Sequence, residues 1–245
     1  MIDVIKNHRS IRKYSDKKIN KTLLTSLLDA ACRASTTGNM QLYSIIETTD
    51  DEVKKQLAPY HFNQVMVTQA PVLLTFCADF NRFEKWCKQR NAVPGYDNFQ
   101  SFFTAAIDAL LVVQNFCIAA EGAGLGICYL GTTTYLTQQI IDVLHLPRKV
   151  VPITTVVVGY PEGETQQTDR LPLEAVVHEN IYYDYSPQDI DKFYAEKESL
   201  LENLKFIEEN KKETLAQIFT DIRYNKENNE KFSELFWNAI KKQGY

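Results

Sequence analysis

The segment HRSIRKY, at residues 8–14, is the stretch around which the rest of the chain is organised. It places four possible cations, one hydroxyl and one buriable isoleucine within seven residues, ahead of the first long helical pattern. In a chain whose net charge is -4, such a local excess of positive charge favours an anion-binding site. The alternative is a charged connector between two short helices, and the segment alone does not decide between them.

Length and composition indicate a globular protein with a sizeable core. The chain has 245 residues, 44% of them hydrophobic, enough for one large domain or two small ones. The acidic net charge argues against general nucleic-acid binding. The start MIDVIK lacks the features of a secretory signal, and the apolar windows at 105–113 and 150–158 are short or interrupted by Asp108 and Pro152. We therefore expect a cytoplasmic protein with no membrane span.

Cysteine and histidine give no support for a metal site. The five cysteines form no CxxC pair, and the four histidines show neither an HExxH pattern nor helical i, i+4 spacing. We expect reduced cysteines in the core and no bound metal.

Alternating helical and strand patterns without a strict βαβ rhythm predict an α+β fold, with helices around a small mixed sheet. A long helix at 98–123 is apolar on more than one face, so a second subunit is expected to cover the extra face. Residues 79–96 look irregular. Asn20 or Thr22 is expected to cap the first helix, which should end near Arg33, and Asp50 is expected to cap a short helix at 51–57. The other predicted elements are helices at 98–123 and 138–144, and strands at 42–49, 72–78, 127–130 and 150–158.

The composition changes near residue 186, which divides the predicted single domain into a core at 1–185 and a helical extension at 186–245. Two amphipathic helices are expected in the extension, at 189–207 and 229–242. The extension has too few aliphatic residues for a core of its own. Its large aromatic side chains therefore need either the main core or a partner subunit: Phe193, Tyr194, Phe206, Phe219, Phe232, Phe236 and Trp237.

Most of the known catalytic and nucleotide-binding motifs are absent. The glycines of GAGLG at 122–126 end a helix and precede a strand, which is the reverse of a dinucleotide-binding loop, so we interpret them as helix-stop glycines. Asp108 lies in an apolar helix and is interpreted as a satisfied buried polar group. What remains is a set of donors suited to a phosphate and to the edge of a heteroaromatic ring, which points to chemistry carried by a cofactor.

Five segments in this order resemble the oxygen-insensitive NAD(P)H nitroreductase and flavin reductase family, in its larger FMN-dependent branch. They are HRSIRKY, the hydroxyl-rich loop at 35–39, AEGAGLGICYLG at 120–131, the strand ending GYP at 159–161, and RLPLEAVVHENIYY at 170–183. The resemblance implies an α+β homodimer with a helical extension embracing the partner and non-covalent FMN at the interface. The implied reaction is ping-pong hydride transfer from NADPH or NADH to nitroaromatic, quinone or flavin acceptors.

The resemblance also implies which residues bind the cofactor. His8, Arg9 and Ser10 would hold the phosphate and ribityl chain, Arg170 would reach the same phosphate, and Ile11 belongs to the same segment. Arg12 would lie near flavin N1 and O2, where a guanidinium stabilises the negative charge of the reduced ring. The chain and ring edge would be bound by Ser35, Thr36, Thr37 and Gln64, and the N5 side approached by Tyr129, Leu130, Gly131 and Thr132.

Three departures from the family pattern bear on function. Thr132 stands where relatives often have a second glycine, and Thr168 replaces the lysine of a Lys-Pro-Arg pattern. Lys211 and Lys212 stand where the larger branch uses arginines for the 2'-phosphate of NADPH; the alternative is a solvated helix end. Two other functions remain open: an FMN-dependent relative with different chemistry, such as reductive dehalogenation or flavin cleavage, and a non-enzymatic flavin carrier.

Overall fold

A four-stranded antiparallel sheet forms the centre of the structure, a computed structural model that describes residues 1–245. The strand order is β1-β2-β4-β3. All three neighbouring pairs are antiparallel, so the expected mixed sheet is not found among the named strands. The parallel component is a single bridge between Ser10 and Ile127. The strands are β1 Tyr43–Thr48, β2 Val72–Asp79, β3 Gly126–Leu130 and β4 Val150–Gly159.

The chain also forms eleven helices, and the fold is α+β as predicted. They are α1 Ile2–Lys6, α2 Lys21–Ala31, α3 Asp51–Leu57, α4 Val65–Gln69, α5 Asn81–Gln89, α6 Phe99–Gly122, α7 Thr137–Val143, α8 Pro187–Ser199, α9 Leu201–Glu209, α10 Leu215–Gln217 and α11 Lys226–Lys242. A π-helical turn, Ile218–Arg223, continues α10. Short 3₁₀ turns lie at Thr37–Asn39, Ala58–His61, Gly131–Thr134 and Leu173–Ala175.

The helix α6 packs on the central strands and carries much of the core. Its side chains Val112, Val113 and Phe116 are fully buried beside Phe76 of β2. By length and composition α6 could cross a membrane, yet half of its most apolar window is buried inside the fold, as in the core helix of a globular protein. Asp108, which interrupts the apolar window at 105–113, lies within this continuous helix, as predicted.

Helix starts were predictable from their capping residues. The side chains of Asn20, Asp50 and Asn98 accept hydrogen bonds from the first-turn amides of α2, α3 and α6. The prediction of irregular structure at 79–96 was wrong, since this segment contains α5. That helix has no side-chain cap at its N-cap residue Phe80; instead Asp79 accepts a bond from the amide of Arg82.

The single helix predicted at 189–207 is two helices. Leu200 has an extended backbone that ends α8 and precedes α9. The Asn203 amide donates to the carbonyl of Lys197, so it satisfies one of the free carbonyl groups at the end of α8. The break is therefore stabilised by a side chain that lies beyond it.

The chain forms two compact units, Met1–Gln167 with Phe232–Tyr245, and Thr168–Lys231. The units therefore do not divide at residue 185, where the sequence placed the end of the core. In the first unit, Phe236 lies against Phe102, and the Lys149 ammonium donates to the carbonyl of Gly244 at 2.6 Å. The ring of Phe236 therefore packs on this chain's own core, whereas Phe232 lies against Tyr135 and Trp237 against the exposed Phe99.

All five cysteines are free, as expected, and four of them are buried. Burial raises the pKa of the Cys117 thiol to about 12, which keeps it protonated and unreactive. Cys32 is exposed, so its placement in the core was wrong: it directly follows the end of α2. No cluster of three or more metal-ligating side chains is present.

Candidate functional site

The basic segment at 8–14 lies along the start of β3. The amide of Ile11 donates to the carbonyl of Ile127 at 2.8 Å, and Ile11 is buried. This approach requires Gly126, because a Cβ there would lie 2.5 Å from Cγ1 of Ile11. The Tyr14 hydroxyl donates to the carbonyl of Ile11, which closes the segment on itself. The segment is therefore held by its isoleucine and tyrosine, and its arginines project outward.

The guanidinium groups of Arg9 and Arg12 have no carboxylate partner. Both side chains are exposed, and each makes only one long contact of 3.5 Å, to the carbonyl of Asn7 or Ser10. No salt bridge includes either residue, although the protein carries more acidic than basic side chains. Two unpaired guanidinium groups three positions apart in the sequence have the chemistry that suits an anion such as a phosphate.

Three polar side chains of α6 hold three different segments of the candidate site. Asp108 accepts bonds from the amide and hydroxyl of Thr37, at 2.9 and 3.2 Å, and from the amide of Leu42. Gln114 accepts from the Tyr129 hydroxyl at 3.1 Å, and Glu121 pairs with His8 Nδ1 at 2.7 Å. The interpretation of Asp108 as a satisfied buried group is confirmed, and the helix is the common support of the site.

These contacts determine what the predicted residues can still offer a ligand. The Thr37 amide and hydroxyl are occupied by Asp108, so Thr37 shapes its loop, whereas the side chains of Ser35 and Thr36 make no hydrogen bond within the protein. In His8 the carboxylate of Glu121 occupies Nδ1 and leaves Nε2 for a ligand. Gly131 is exposed, and a Cβ there would meet nothing within 4 Å, which leaves its backbone accessible.

His61 joins two of the predicted fragments and was not predicted from the sequence. Its ring is completely buried, and Nδ1 lies 2.9 Å from the Thr132 hydroxyl, while Gln64 donates to the His61 carbonyl at 3.1 Å. Burial lowers the pKa of His61 to about 4, so the ring is neutral near neutral pH. A lone histidine next to a turn gave no sequence signal, because its partner is 71 residues away.

The second unit holds the other predicted cofactor-binding residues. Arg170 turns back onto its neighbours and donates to the Thr168 hydroxyl at 2.8 Å. Asp169, which follows Thr168, has its negative charge paired with the Lys197 ammonium at 2.8 Å. Of the two lysines, Lys212 pairs with Asp221 at 2.8 Å, whereas Lys211 is exposed and unpaired.

The donor set fits a flavin mononucleotide. Arg9, Arg12 and the Nε2 atom of His8 suit a phosphate and the anionic part of a reduced ring. Ser35, Gln64 and the accessible backbone at Gly131 suit the polar edge of a heterocycle. The buried Nε2 of His61 has no hydrogen-bond partner within the protein.

Comparison with known proteins places the chain among flavin enzymes. The family model described as "Nitroreductase family" matches residues 5–160. The FMN reductase (NADPH) of Bacillus subtilis strain 168 is 37% identical over 183 residues, which is 74% of each chain. The FMN reductase [NAD(P)H] of the same strain is 34% identical over 187 residues, which is 74% of this chain and 75% of the other.

Solved structures share the whole architecture. The crystal structure of a Bacteroides fragilis NCTC 9343 protein described as an oxidoreductase has a TM-score of 0.97 and 60% sequence identity. The superposition covers 99% of this chain and 98% of that one. The likeness therefore extends over both compact units and includes residues 168–245, which the family model does not reach.

Proposed function

Because the chain belongs to the nitroreductase family, we propose that it reduces nitroaromatic, quinone or flavin acceptors in alternate half-reactions at one site, with NADPH or NADH as the donor. The enzyme is an FMN-dependent NAD(P)H oxidoreductase. Bound FMN supplies the ring that accepts and then donates hydride. The protein supplies binding, orientation and electrostatic stabilisation.

The observation that carries the proposal is the pair of unpaired guanidinium groups held at the edge of β3. We assign Arg9, with Ser10 and the Nε2 atom of His8, to the phosphate and ribityl chain. We assign Arg12 to the ring edge that becomes negative on reduction, where a fixed cation lowers the free energy of the reduced state. Ile11 anchors this segment and contributes its backbone, and Ser35, Thr36 and Thr37 form the loop on the other side.

The residues of the second unit are assigned by family position. Arg170 is proposed to add a cation at the phosphate, and its bond to the Thr168 hydroxyl holds it in place without the lysine of the family pattern. Lys211, exposed and unpaired, is the better candidate for the 2'-phosphate of NADPH, since Lys212 is engaged with Asp221. A lysine binds phosphate as a point charge, so only modest preference for NADPH over NADH is expected.

We also propose that the enzyme is a homodimer. Five large apolar side chains of α6 are between 41% and 51% exposed, although other side chains of the helix are core: Phe99, Phe103, Ile107, Leu110 and Leu111. Their spacing of four, four, three and one places them on one face of the helix. A continuous exposed apolar stripe of this kind marks an interface, and α6 of a second subunit presents an apolar surface that could bury it.

The second unit supports the same conclusion. Leu173, Val176, Leu201 and Tyr224 are each more than half exposed, an unusual number of large apolar side chains for a small compact unit. We propose that this unit extends over the neighbouring subunit and that FMN lies at the interface.

Anaerobic addition of NADPH to the FMN-loaded protein tests the proposed function. The visible absorbance of oxidised flavin should disappear with one equivalent of NADPH and return when a quinone or nitroaromatic is added. Flavin that stays oxidised would indicate a carrier. Flavin that is reduced but not reoxidised by any of these acceptors would indicate an enzyme of different chemistry, such as a dehalogenase or a flavin-cleaving relative.

A further inference from the structure

One ring nitrogen of the buried His61 imidazole has a hydrogen-bond partner, and the other has none. Nδ1 lies 2.9 Å from Oγ1 of Thr132, and Nε2 is buried with no partner. Because the ring is neutral, it carries one N–H and one bare nitrogen. The Thr132 hydroxyl must accept a hydrogen bond if the hydrogen is on Nδ1, and must donate one if the hydrogen is on Nε2.

Thr132 is also distinct from the two threonines that follow it in the same turn. The Thr133 hydroxyl donates to the carbonyl of Leu130 at 2.8 Å, and that of Thr134 donates to the carbonyl of Gly131 at 3.4 Å. Thr132 makes no such bond to the backbone, and its side chain is partly exposed. Its hydroxyl therefore contacts the buried imidazole, although the residue itself is partly open to solvent.

The burial of Nε2 decides which tautomer is favoured. A buried N–H without an acceptor is rarer in proteins than a buried acceptor without a donor. The favoured form therefore leaves Nε2 bare and places the hydrogen on Nδ1, from which it is donated to Oγ1 of Thr132. With its oxygen already accepting from the ring, the Thr132 hydroxyl has its own hydrogen available for the ligand.

We propose that His61 is a positioning residue that turns the Thr132 hydroxyl into a hydrogen-bond donor toward N5 of the oxidised flavin ring. This inference rests on the proposed function, which assigns the Tyr129–Thr132 segment to the N5 side. Oxidised N5 accepts a hydrogen bond, whereas reduced N5 carries hydrogen and no longer accepts one from the hydroxyl. The pair therefore stabilises the oxidised state relative to the reduced state and lowers the midpoint potential of the bound flavin.

Midpoint potentials of four variants, each loaded with FMN, test the proposal. Thr132→Val keeps the shape of the side chain and removes the hydroxyl, so the potential should rise. Thr134→Val is the matched control, because its hydroxyl is bonded to the backbone, and its potential should equal that of the parent. His61→Leu should raise the potential like Thr132→Val, and His61→Asn, which can place an amide N–H near the position of Nδ1, should restore it.

A double-mutant cycle shows whether His61 acts through Thr132. If it does, His61→Leu combined with Thr132→Val should give the same potential as Thr132→Val alone. Additive shifts would overturn the proposal, as would a His61→Asn variant that shifts the potential as far as His61→Leu. If His61→Leu does not fold, Thr132→Val with its Thr134→Val control and the tautomer measurement decide the matter.

The tautomer can be read without FMN. In the flavin-free protein labelled with ¹⁵N-histidine, the His61 signals, identified by their loss in His61→Asn, should show hydrogen on Nδ1. Hydrogen on Nε2 would overturn the proposal. A chain that does not bind FMN would contradict the proposed function, whereas bound FMN with an unshifted potential in Thr132→Val would contradict this inference alone.

Discussion

Arg12 carries the electrostatic part of the proposed site at the scale of single residues. Its guanidinium is exposed, and no carboxylate in the protein neutralises it. A unit charge at about 4 Å contributes roughly 1 to 4 kcal/mol at effective dielectric constants between those of water and a protein surface.

Arg12→Ala should therefore lower the midpoint potential of bound FMN by roughly 20 to 90 mV, because reduction adds two electrons and about 30 mV corresponds to 1.4 kcal/mol. Lys13→Ala, which changes a neighbouring exposed cation, should have a much smaller effect. Potentiometry with redox dyes measures both. An Arg12→Ala potential equal to that of the parent, with FMN still bound, would remove Arg12 from this role.

His61 makes the stability of the fold depend on pH. Its pKa is about 4 in the folded protein, and desolvation is the cause; in the unfolded chain it is near 6.5. Between these values the unfolded chain binds a proton that the folded chain excludes, so stability falls as the pH falls from about 6.5 to 4. The loss amounts to about 3 kcal/mol.

Urea unfolding at several pH values checks this dependence. His61→Asn should lose less unfolding free energy than the parent between pH 6.5 and 4, by about 3 kcal/mol. His145→Asn is the control: His145 is exposed and has a positive φ of 51°, which asparagine tolerates, so its curve should follow the parent. Parallel curves for His61→Asn and the parent would show that the buried ring does not cause the dependence.

At the scale of elements, the packing of the basic segment on β3 depends on Gly126. A methyl group there would lie 2.5 Å from Ile11, so Gly126→Ala must push the segment away or distort β3. We expect a loss of about 1 to 3 kcal/mol in stability and about tenfold or more in FMN affinity. Gly122→Ala, which meets nothing within 4 Å, is the control and should change neither. FMN affinity equal in the two variants would contradict the role of this contact.

The sequence predicted the features that depend on residues close together in the chain. The caps Asn20, Asp50 and Asn98 act within one turn, so the starts of α3 and α6 were correctly predicted, and α2 begins after Asn20, one of its two predicted caps. The helix α5 was missed because its cap comes from Asp79, the last residue of β2, and its apolar residues Phe83, Trp86 and Cys87 are dispersed among charged ones.

The candidate site was likewise predictable only in its local segments. The segments 8–14, 35–37 and 129–132 were visible as donor-rich stretches and by their family resemblance. Their support by Asp108, Gln114 and Glu121 was not, because these contacts span up to 113 residues of sequence. His61 was missed for the same reason. Strand direction also has no local signal in so short a sheet, and the expected mixed sheet is antiparallel.

At the scale of the whole molecule, the exposed stripe of α6 predicts the oligomeric state. Phe103→Glu places a charge in the middle of the proposed interface, so the dimer should dissociate and FMN should be lost with it. Trp86→Glu, at an aromatic residue of α5 with 55% exposure against 49% for Phe103, is the control and should remain a dimer. Light scattering measures the mass. A monomeric parent, or a Phe103→Glu variant that stays dimeric, would contradict the interface.

The return of residues 232–245 to the first unit changes how the extension should be studied. Removing everything after Ser186 would delete Ile240 and Phe236, which pack on Phe102 and Phe80 in the core, so it would test the fold more than the contact between subunits. Point substitutions at the exposed residues of 168–231 address that contact and leave the core intact.

The crystal structure of the full chain with FMN bound tests the central claim most directly. The account predicts the phosphate within hydrogen-bond distance of Arg9 and His8 Nε2, the N1 and O2 edge of the ring near Arg12, and the N5 edge at the Gly131–Thr132 turn. A phosphate away from the basic segment at 8–14, or a ring that does not reach Thr132, would contradict it.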